Sequence, residues 1–512
     1  MKRRLLKIGG EVITPIQEQP IKHLGKQYND KLNETDQIEF VTKNVVTDLK
    51  RIDRCKLPGR YKAWIVQHMM MPRLMWPLSI YNVPLTTVEW LQGKITSALK
   101  KWLKLPRSLS NACFYSKSSK LKLPYTGLVE EYKATKARNL VTLQESKDEC
   151  IRNANITIDA GTKANTPKAV DDAKSHLRIQ ELVGVPNKGK EGLGMKRRQY
   201  YSSSNSKEKR DMIVKRVRDK EEEGRLVKMT GFSNQGANLR WEVPQKQIKH
   251  NDIIRSSEER LRFLVKSVYD MLPTPANKNR WFKTEEKCLL CGKEGTLAHI
   301  LSGCSVALSQ GRYKWRHDKV LKELASSVQG KIVENTKKTE NRRTRIQFVR
   351  EGENSQRKAV EEHYTYLSNV KDWKMTVDLE GCLKIPREIC ETNLRPDLII
   401  VSKKTKQVGV VELTVPNEDR IEVSGEIKRK KYEQIVQEGR RNGWRVRVWA
   451  VEVGCRGFPA VSMSSFFKDL GFRGSEKKKA IDRLSKTAED ASNSLWRASH
   501  FKNWRGSDTS AQ

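Results

Sequence analysis

No stretch of this 512-residue chain approaches the apolar length of a membrane span, about 18 residues; "WIVQHMMMPRLMWPL" comes nearest and is interrupted by His68 and Arg73. No export signal is expected either, because Met1-Lys2-Arg3-Arg4 leads only into "LLKIGGEVI", too short and too interrupted for the apolar core of a signal peptide. The expectation is an intracellular chain with no membrane partner, whose cysteines stay reduced. Apolar residues are also sparse at 37% against 31% charged, which argues for extended helices or polar linkers beside the two to four domains that this length allows. Acidic residues are the scarcest charge: 61 against 100 Lys and Arg, a net +39. Each phosphate neutralised by Lys or Arg releases condensed counterions, so nucleic acid is the expected partner. Any single basic run still reads equally well as a solvated helix face.

Cysteine is thin as well, nine in all, yet three of them and His299 fall within "CLLCGKEGTLAHILSGC". The spacing is Cys288-x2-Cys291-x7-His299-x4-Cys304. A C-x2-C turn can present two thiolates to one ion, with Gly292 relaxing the backbone, and His299 and Cys304 return from a short helical segment. Four protein ligands leave no open position, so the expected ion is a structural Zn2+. A redox pair lacks its βαβ setting, disulfides are disfavoured inside cells, and buried free thiols would not cluster. Cys55, Cys113, Cys150, Cys382, Cys390 and Cys455 are scattered and read as ordinary core or surface thiols.

Between these features the chain changes character. In "PLTTVEWLQGKITSALKKWLKLP" Thr86 or Thr87 is expected to cap a helix with Val88, Leu91, Ile95, Leu99 and Trp102 on one face and Lys94, Lys100, Lys101, Lys104 and Arg107 on its surface. Residues 126–250 are rich in charge, Ser and Gly, with Met212, Ile213 and Val217 as rare apolar anchors, and read as a charged helical connector lying on nucleic acid or as a plain spacer. Order returns at "RSSEERLRFLVKSVYDMLPTP", a helix with Leu261, Leu264, Val265, Val268 and Leu272 in one stripe, stopped by Pro273.

Beyond the cysteines, "RPDLIIVSKKTKQVGVVELTV" reads as strand 398–401, a polar turn, and strand 408–415. Residues 422–440 read as a helix ended by Asn442-Gly443, and 445–453 as another strand. Such a hairpin brings Asp397, at the mouth of the first strand, beside Glu412, inside the second. An acid within an apolar strand is costly unless paired or metal-bound, and two converging carboxylates suit Mg2+. On the next helix Lys428, Lys431 and Tyr432 share one face at i, i+3 and i+4, from which a lysine can orient water and offset charge on a phosphorane. The plain reading of "KRKK" is a solvated face or a nuclear-localisation patch.

At these residues the chain resembles the C-terminal half of non-LTR retrotransposon polyproteins of the restriction-like-endonuclease class. "CLLCGKEGTLAHILSGC" is similar to their CCHC zinc knuckle, "RPDLIIV", "VVELTVP" and "KRKKYEQI" to their PD-(D/E)xK-type nuclease, and "WAVEVGCRGF" to its closing strand. "PIKHLGKQY" and "GRYKAWIVQHMMMPRLMWPL" resemble the end of the palm and the thumb of the reverse transcriptase, although the polymerase's Asp-Asp hairpin is missing: Asp171-Asp172 lies in a polar, helical context. The resemblance implies an α+β multidomain chain: a helical thumb-like remnant (1–125), a charged helical connector (126–250), a helix plus knuckle (251–310), an α/β nuclease with a mixed central sheet (311–475) and a polar basic tail (476–512). It implies a nuclear protein that binds target DNA and element RNA, does not polymerise by itself, and nicks DNA to prime reverse transcription. Asp397 and Glu412 would hold Mg2+ and Lys431 would be the catalytic lysine, displaced from the strand site where Thr414 stands, with Lys428 as rival and Tyr432 in support. The competing account is an inactive nucleic-acid-binding remnant built on the knuckle and basic helices.

Overall fold

The computed structural model describes residues 7–12, 21–23, 26–31, 34–154, 156, 158, 165–187, 192–196, 200–232, 234–340, 365–368 and 370–504. It divides into two compact units, Met1–Gly236 with Gln247–Glu258, and Ala237–Lys246 with Glu259–Gln512. Parts of "PIKHLGKQY", of the 188–199 segment and of the C-terminal stretch lie outside the described residues.

The first unit is mainly helical, with short strand pairs such as Ile21–His23 with Lys26–Tyr28. Helix α1 (Leu85–Trp102) buries Val88, Leu91, Ile95, Leu99 and Trp102, the expected stripe. Neither Thr86 nor Thr87 caps it; the helix begins at Leu85, with Pro84 in the cap position. Lys100 also departs from its expected place on the surface. It is buried and donates to the carbonyls of Arg107 (3.0 Å) and Leu109, folding the following turn back on the helix end.

The connector expected over 126–250 is packed structure through most of its length. Helices α2 (Leu128–Gln144), α3 (Thr166–Val183) and α4 (Ser206–Thr230) meet around Ala137, Leu140, Val141, Val170, Ala173, Ile213 and Val217. Their second cohesive element is charge. Glu130, 3% exposed, takes an ion pair from Arg225 at 2.7 Å, and Glu222 accepts from Ser116 Oγ at 2.6 Å and the Lys117 and Ser118 amides at 2.8 Å. Burial opposes the Glu222 carboxylate, but these hydrogen bonds hold its pKa below the ordinary value. Carboxylates carry the anchoring that apolar residues usually do, so an apolar pattern does not reveal it. Asp171 and Asp172 lie exposed on α3, and Asp172 pairs with Lys220.

The second unit is built on a mixed four-stranded sheet in the order β4-β3-β2-β1, with β1 Lys374–Val377, β2 Leu398–Ser402, β3 Gln407–Thr414 and β4 Arg445–Glu452. The pairs β1/β2 and β2/β3 are antiparallel and β3/β4 is parallel. A parallel pair needs a crossover, and here it is helical. The single helix expected there is two, α7 (Ile421–Lys431) and α8 (Glu433–Arg441), broken at Tyr432, which is fully buried. Alternation along the strands sends Leu398, Ile400, Val411, Leu413, Trp449 and Val451 to one face, and Ile399, Val408, Val410 and Val446 to the other, against Tyr432 and Ile435. The first face is covered by α6 (Arg312–Glu340), α9 (Val461–Asp469) and α10 (Gly474–Ala498).

Two expected boundaries are absent from this unit. The cysteine–histidine segment and the sheet segment share one core, in which Phe263 of α5 (Glu258–Val268) and Leu272, Leu297, Ile300 and Leu301 pack with Cys455, Leu495 and Trp496. A segment as short as the one carrying the cysteines cannot bury its own apolar residues, so it borrows a surface. The expected tail is α10 over most of its length, with Ala480, Leu484 and Ala488 in the sheet's core. Its buried stripe is mostly alanine and serine between lysines, which reads as polar.

Candidate functional site

Two clusters in the second unit bear on function. The first is the cysteine–histidine quartet. Gly292 adopts φ +74°, the left-handed region that glycine reaches without strain, and its N–H donates to the Cys288 carbonyl at 2.9 Å. Cys288 N–H donates in turn to the Lys293 carbonyl at 2.6 Å, closing the turn that carries Cys288 and Cys291. A π-helical turn, His299–Gly303, delivers His299, and Cys304 follows at its end. The four ligand atoms lie within 4.8 Å of one another, with Cys291 Sγ 3.1 Å from His299 Nε2 and Cys288 Sγ 4.0 Å from Cys304 Sγ. Tetrahedral bonds of about 2.3 Å to sulfur set donor atoms roughly 3.8 Å apart, so this arrangement can hold a metal ion such as zinc with a slight closing movement.

The thiols alone are in conflict. Burial pushes Cys304 up to about 11, while Cys291, which burial also opposes, is held below the ordinary value by the Lys293 amide and the neighbouring thiols. A divalent cation removes that conflict by stabilising every thiolate at once.

The second cluster gathers at one end of the sheet. Leu398 pairs with Val411, so one further step of the register sets Asp397 opposite Glu412, on the same face of adjacent strands. Glu412 is 3% exposed. Lys428 Nζ donates to its Oε1, Tyr432 Oη donates to its Oε2 at 2.7 Å, and Lys431 Nζ stands 3.5 Å from Oε1 and 3.1 Å from Tyr432 Oη. Burial and the adjacent Glu412 carboxylate push the Tyr432 hydroxyl far above its ordinary pKa, so it stays a donor. Lys428, Lys431 and Tyr432 therefore gather on Glu412, with Lys428 nearer the carboxylate than Lys431. Thr414 Oγ1 and Glu452 Oε1, opposite each other across β3 and β4, are buried without a hydrogen-bond partner among the described residues.

Asp397 is held from an unexpected direction. Its Oδ2 accepts the Leu413 N–H at 2.7 Å and lies 3.3 Å from Nε2 of His317 on α6. Nδ1 of the same ring lies 3.1 Å from Asp318 Oδ1, and Nε2 is also 3.2 Å from the Leu413 carbonyl. Both ring nitrogens face only acceptors, so both carry protons. Burial opposes that charge, but the hydrogen bonds to Asp318 and Asp397 outweigh it and raise the pKa to about 9. Asp378 extends the row: Leu398 pairs with Val377, and Asp378 N–H donates to the Asp397 carbonyl at 2.8 Å. Its Oδ1 turns back to the amides of Gly381 (2.6 Å) and Cys382 (2.9 Å).

No protein-family model matches the chain, and no curated protein matches it. Function therefore has to be read from this geometry.

The lysine geometry makes its own prediction. If the site hydrolyses phosphodiesters, Lys428→Ala should slow the reaction about 100-fold, because it removes the donor closest to the buried Glu412 carboxylate. Lys431→Ala should have a smaller effect, and Lys430→Ala, on the exposed side of α7, almost none. Rates of plasmid nicking for the three variants check the order; an intact rate in Lys428→Ala with a large loss in Lys431→Ala would reverse it.

Proposed function

We propose that this chain is a retrotransposon-derived nucleic-acid-binding protein whose second unit carries a metal-dependent DNA endonuclease of the PD-(D/E)xK kind. The observation that carries the reading is the register Leu398↔Val411, which sets Asp397, one step before β2, opposite Glu412 of β3, with a lysine and a tyrosine from the crossover segment closing on Glu412. The donor set is hard oxygen, and Asp397 Oδ1 has no hydrogen-bond partner among the described residues, as a magnesium site needs. Both Glu412 oxygens are already engaged, but a carboxylate has about four lone-pair sites and can accept a cation beside those donors.

Asp397 and Glu412 would hold Mg2+, which when bound supplies Lewis-acid charge to the scissile phosphate. Tyr432 fixes the plane of the Glu412 carboxylate through its Oη. The Lys428 or Lys431 ammonium orients the attacking water and offsets the charge that builds on the phosphoryl oxygens. Water adds in line at phosphorus, the bond to O3′ breaks, and the freed 3′ hydroxyl is the primer that reverse transcription of an element RNA requires. The quartet Cys288, Cys291, His299 and Cys304 serves as a closed structural zinc site. The binding partners are target DNA and element RNA, and the place of action is the nucleus.

The deciding experiment is conversion of supercoiled plasmid to the nicked form by the purified full chain in Mg2+. Binding without nicking would overturn the enzyme reading and leave the nucleic-acid-binding remnant. Binding itself should be steeply salt-dependent, because a net charge of +39 gains affinity by counterion release. With about six to ten phosphates contacted, affinity should fall roughly 10³- to 10⁵-fold between 50 and 200 mM salt. A fluorescence-anisotropy titration that barely moves over that range would contradict it.

A further inference from the structure

His317 has no role in the proposed chemistry, yet the cysteine–histidine quartet and the carboxylate pair meet on the helix that carries it. Tyr313, Arg316 and His317 lie at i, i+3 and i+4 of α6 and so share one face. Tyr313 Oη donates to the Ile300 carbonyl at 2.9 Å and accepts the Cys304 N–H at 3.1 Å, gripping the turn that presents His299 and Cys304. Arg316, 2% exposed, spans both clusters: Nη1 donates to the Leu301 carbonyl and Nη2 to the Val415 carbonyl just past β3, each at 2.9 Å. His317 then reaches Asp397 Oδ2.

We propose, resting on the nuclease reading above, that His317 is a positioning residue for Asp397, seated by the cysteine–histidine quartet through Tyr313 and Arg316. Two donors, the Leu413 amide and the imidazole, share Oδ2 and so fix the rotation of the Asp397 carboxylate. The fixed rotation leaves Oδ1 as the atom offered to a cation opposite Glu412. Groups that orient a metal ligand from behind are worth about 10- to 100-fold in metal affinity or activity, which is the effect expected here. The seat matters as much as the ring. A histidine on a helix free to slide by a fraction of an ångström could not hold a donor distance, and buried Arg316 ties that helix to both clusters.

The test is Mn2+ binding to the full zinc-loaded chain, measured by isothermal titration, with the Asp397→Ala, Glu412→Ala double variant as the blank. His317→Ala should weaken Mn2+ binding about 10- to 100-fold, and His317→Gln, which keeps a donor, should recover most of it. The zinc content should stay the same in all of these chains. In nicking assays the His317→Ala defect should appear mainly as a higher Mn2+ requirement, with the rate at saturating Mn2+ approaching that of the unaltered chain. His317→Leu, which keeps the volume, replaces the alanine variant if that one fails to fold. Unchanged Mn2+ affinity in a folded His317→Ala or His317→Leu chain, or a defect that His317→Gln does not relieve, would overturn the role of His317 while the nuclease reading stands. An unaltered chain that binds Mn2+ no better than the double-variant blank would instead remove the carboxylate site, and this inference with it.

Discussion

Supercoiled plasmid incubated with Mg2+ is expected to stay intact when Asp397 or Glu412 is replaced by alanine, while the DNA stays bound. If Asp397 and Glu412 hold the cation as proposed, removing either takes away several kcal/mol of charge stabilisation at the phosphoryl group, a rate loss of roughly 10³-fold or more. Affinity should hardly change, since it arises from Lys and Arg residues dispersed along the chain, and phosphate contacts position the substrate without performing the reaction. The two alanine variants should nevertheless behave differently as proteins. Asp397 is partly exposed at the sheet's end, and its loss takes the acceptor from the Leu413 N–H while His317 keeps the Leu413 carbonyl and Asp318. Glu412 is 3% exposed, and its removal takes from the partly buried Lys428 ammonium its carboxylate and leaves the Tyr432 hydroxyl only the Arg395 carbonyl, at 2.9 Å. Unpaired buried groups are costly, so Glu412→Ala should also lower thermal stability. Glu412→Gln separates the effects: its amide oxygen can accept from Lys428 while its NH2 donates to the Tyr432 hydroxyl, whose own proton turns to the Arg395 carbonyl, so the variant should fold well and, lacking the charge, still fail to nick. A folded Glu412→Gln chain that nicks at the unaltered rate, freed of contaminating nuclease, would falsify the two-carboxylate site.

The parts of this molecule that were legible in the sequence are those whose partners lie close along the chain or follow a strict period. The C-x2-C turn announces its geometry through Gly292. Alternation in "RPDLIIV" and "VVELTV", joined by a short polar turn, sets Asp397 beside Glu412, because a one-residue slip would turn every apolar side chain of β2 and β3 to the wrong face. The helix spacing brings Lys428, Lys431 and Tyr432 to the same carboxylate, though not the order in which they approach it; that depends on the break at Tyr432, which a 3.6-residue period does not register. His317 was out of reach for another reason. It stands 80 residues from Asp397, and only the packing of α6 across the sheet joins them. Asp378 needed the register of a third strand. The misread connector and tail share one cause, since Glu130 and Glu222 are buried by charge pairing and α10 buries small residues, so neither shows the large apolar stripe that marks a core helix.

One zinc per chain should be lost on replacing Cys304 with serine, and the chain should then open from the knuckle inward. Cys304 is 1% exposed and Cys288 6%, whereas Cys291 and His299 are partly open to solvent. Serine at position 304 therefore puts a poorer ligand in the most enclosed corner of the shell, and Cys304→Ser should cost more than Cys291→Ser. Zinc binding in small knuckles is worth about 10–16 kcal/mol, and where the site does not exist in the unfolded chain that energy is folding energy. Here the quartet is part of a larger core, because Leu297, Ile300 and Leu301 pack with Leu495 and Trp496, so the unit should survive metal loss as a weakened fold. The opening should follow the contacts. Amides of residues 287–304 should exchange fastest, then those at the start of α6, where Tyr313 and Arg316 grip the Ile300 and Leu301 carbonyls, while β2 and β3 stay protected longest. Elemental analysis and hydrogen exchange of the zinc-loaded, chelated and Cys304→Ser chains measure each step. Full zinc retention by Cys304→Ser would remove that residue from the ligand set. Unchanged exchange in the chelated chain would mean that the quartet holds up nothing beyond itself.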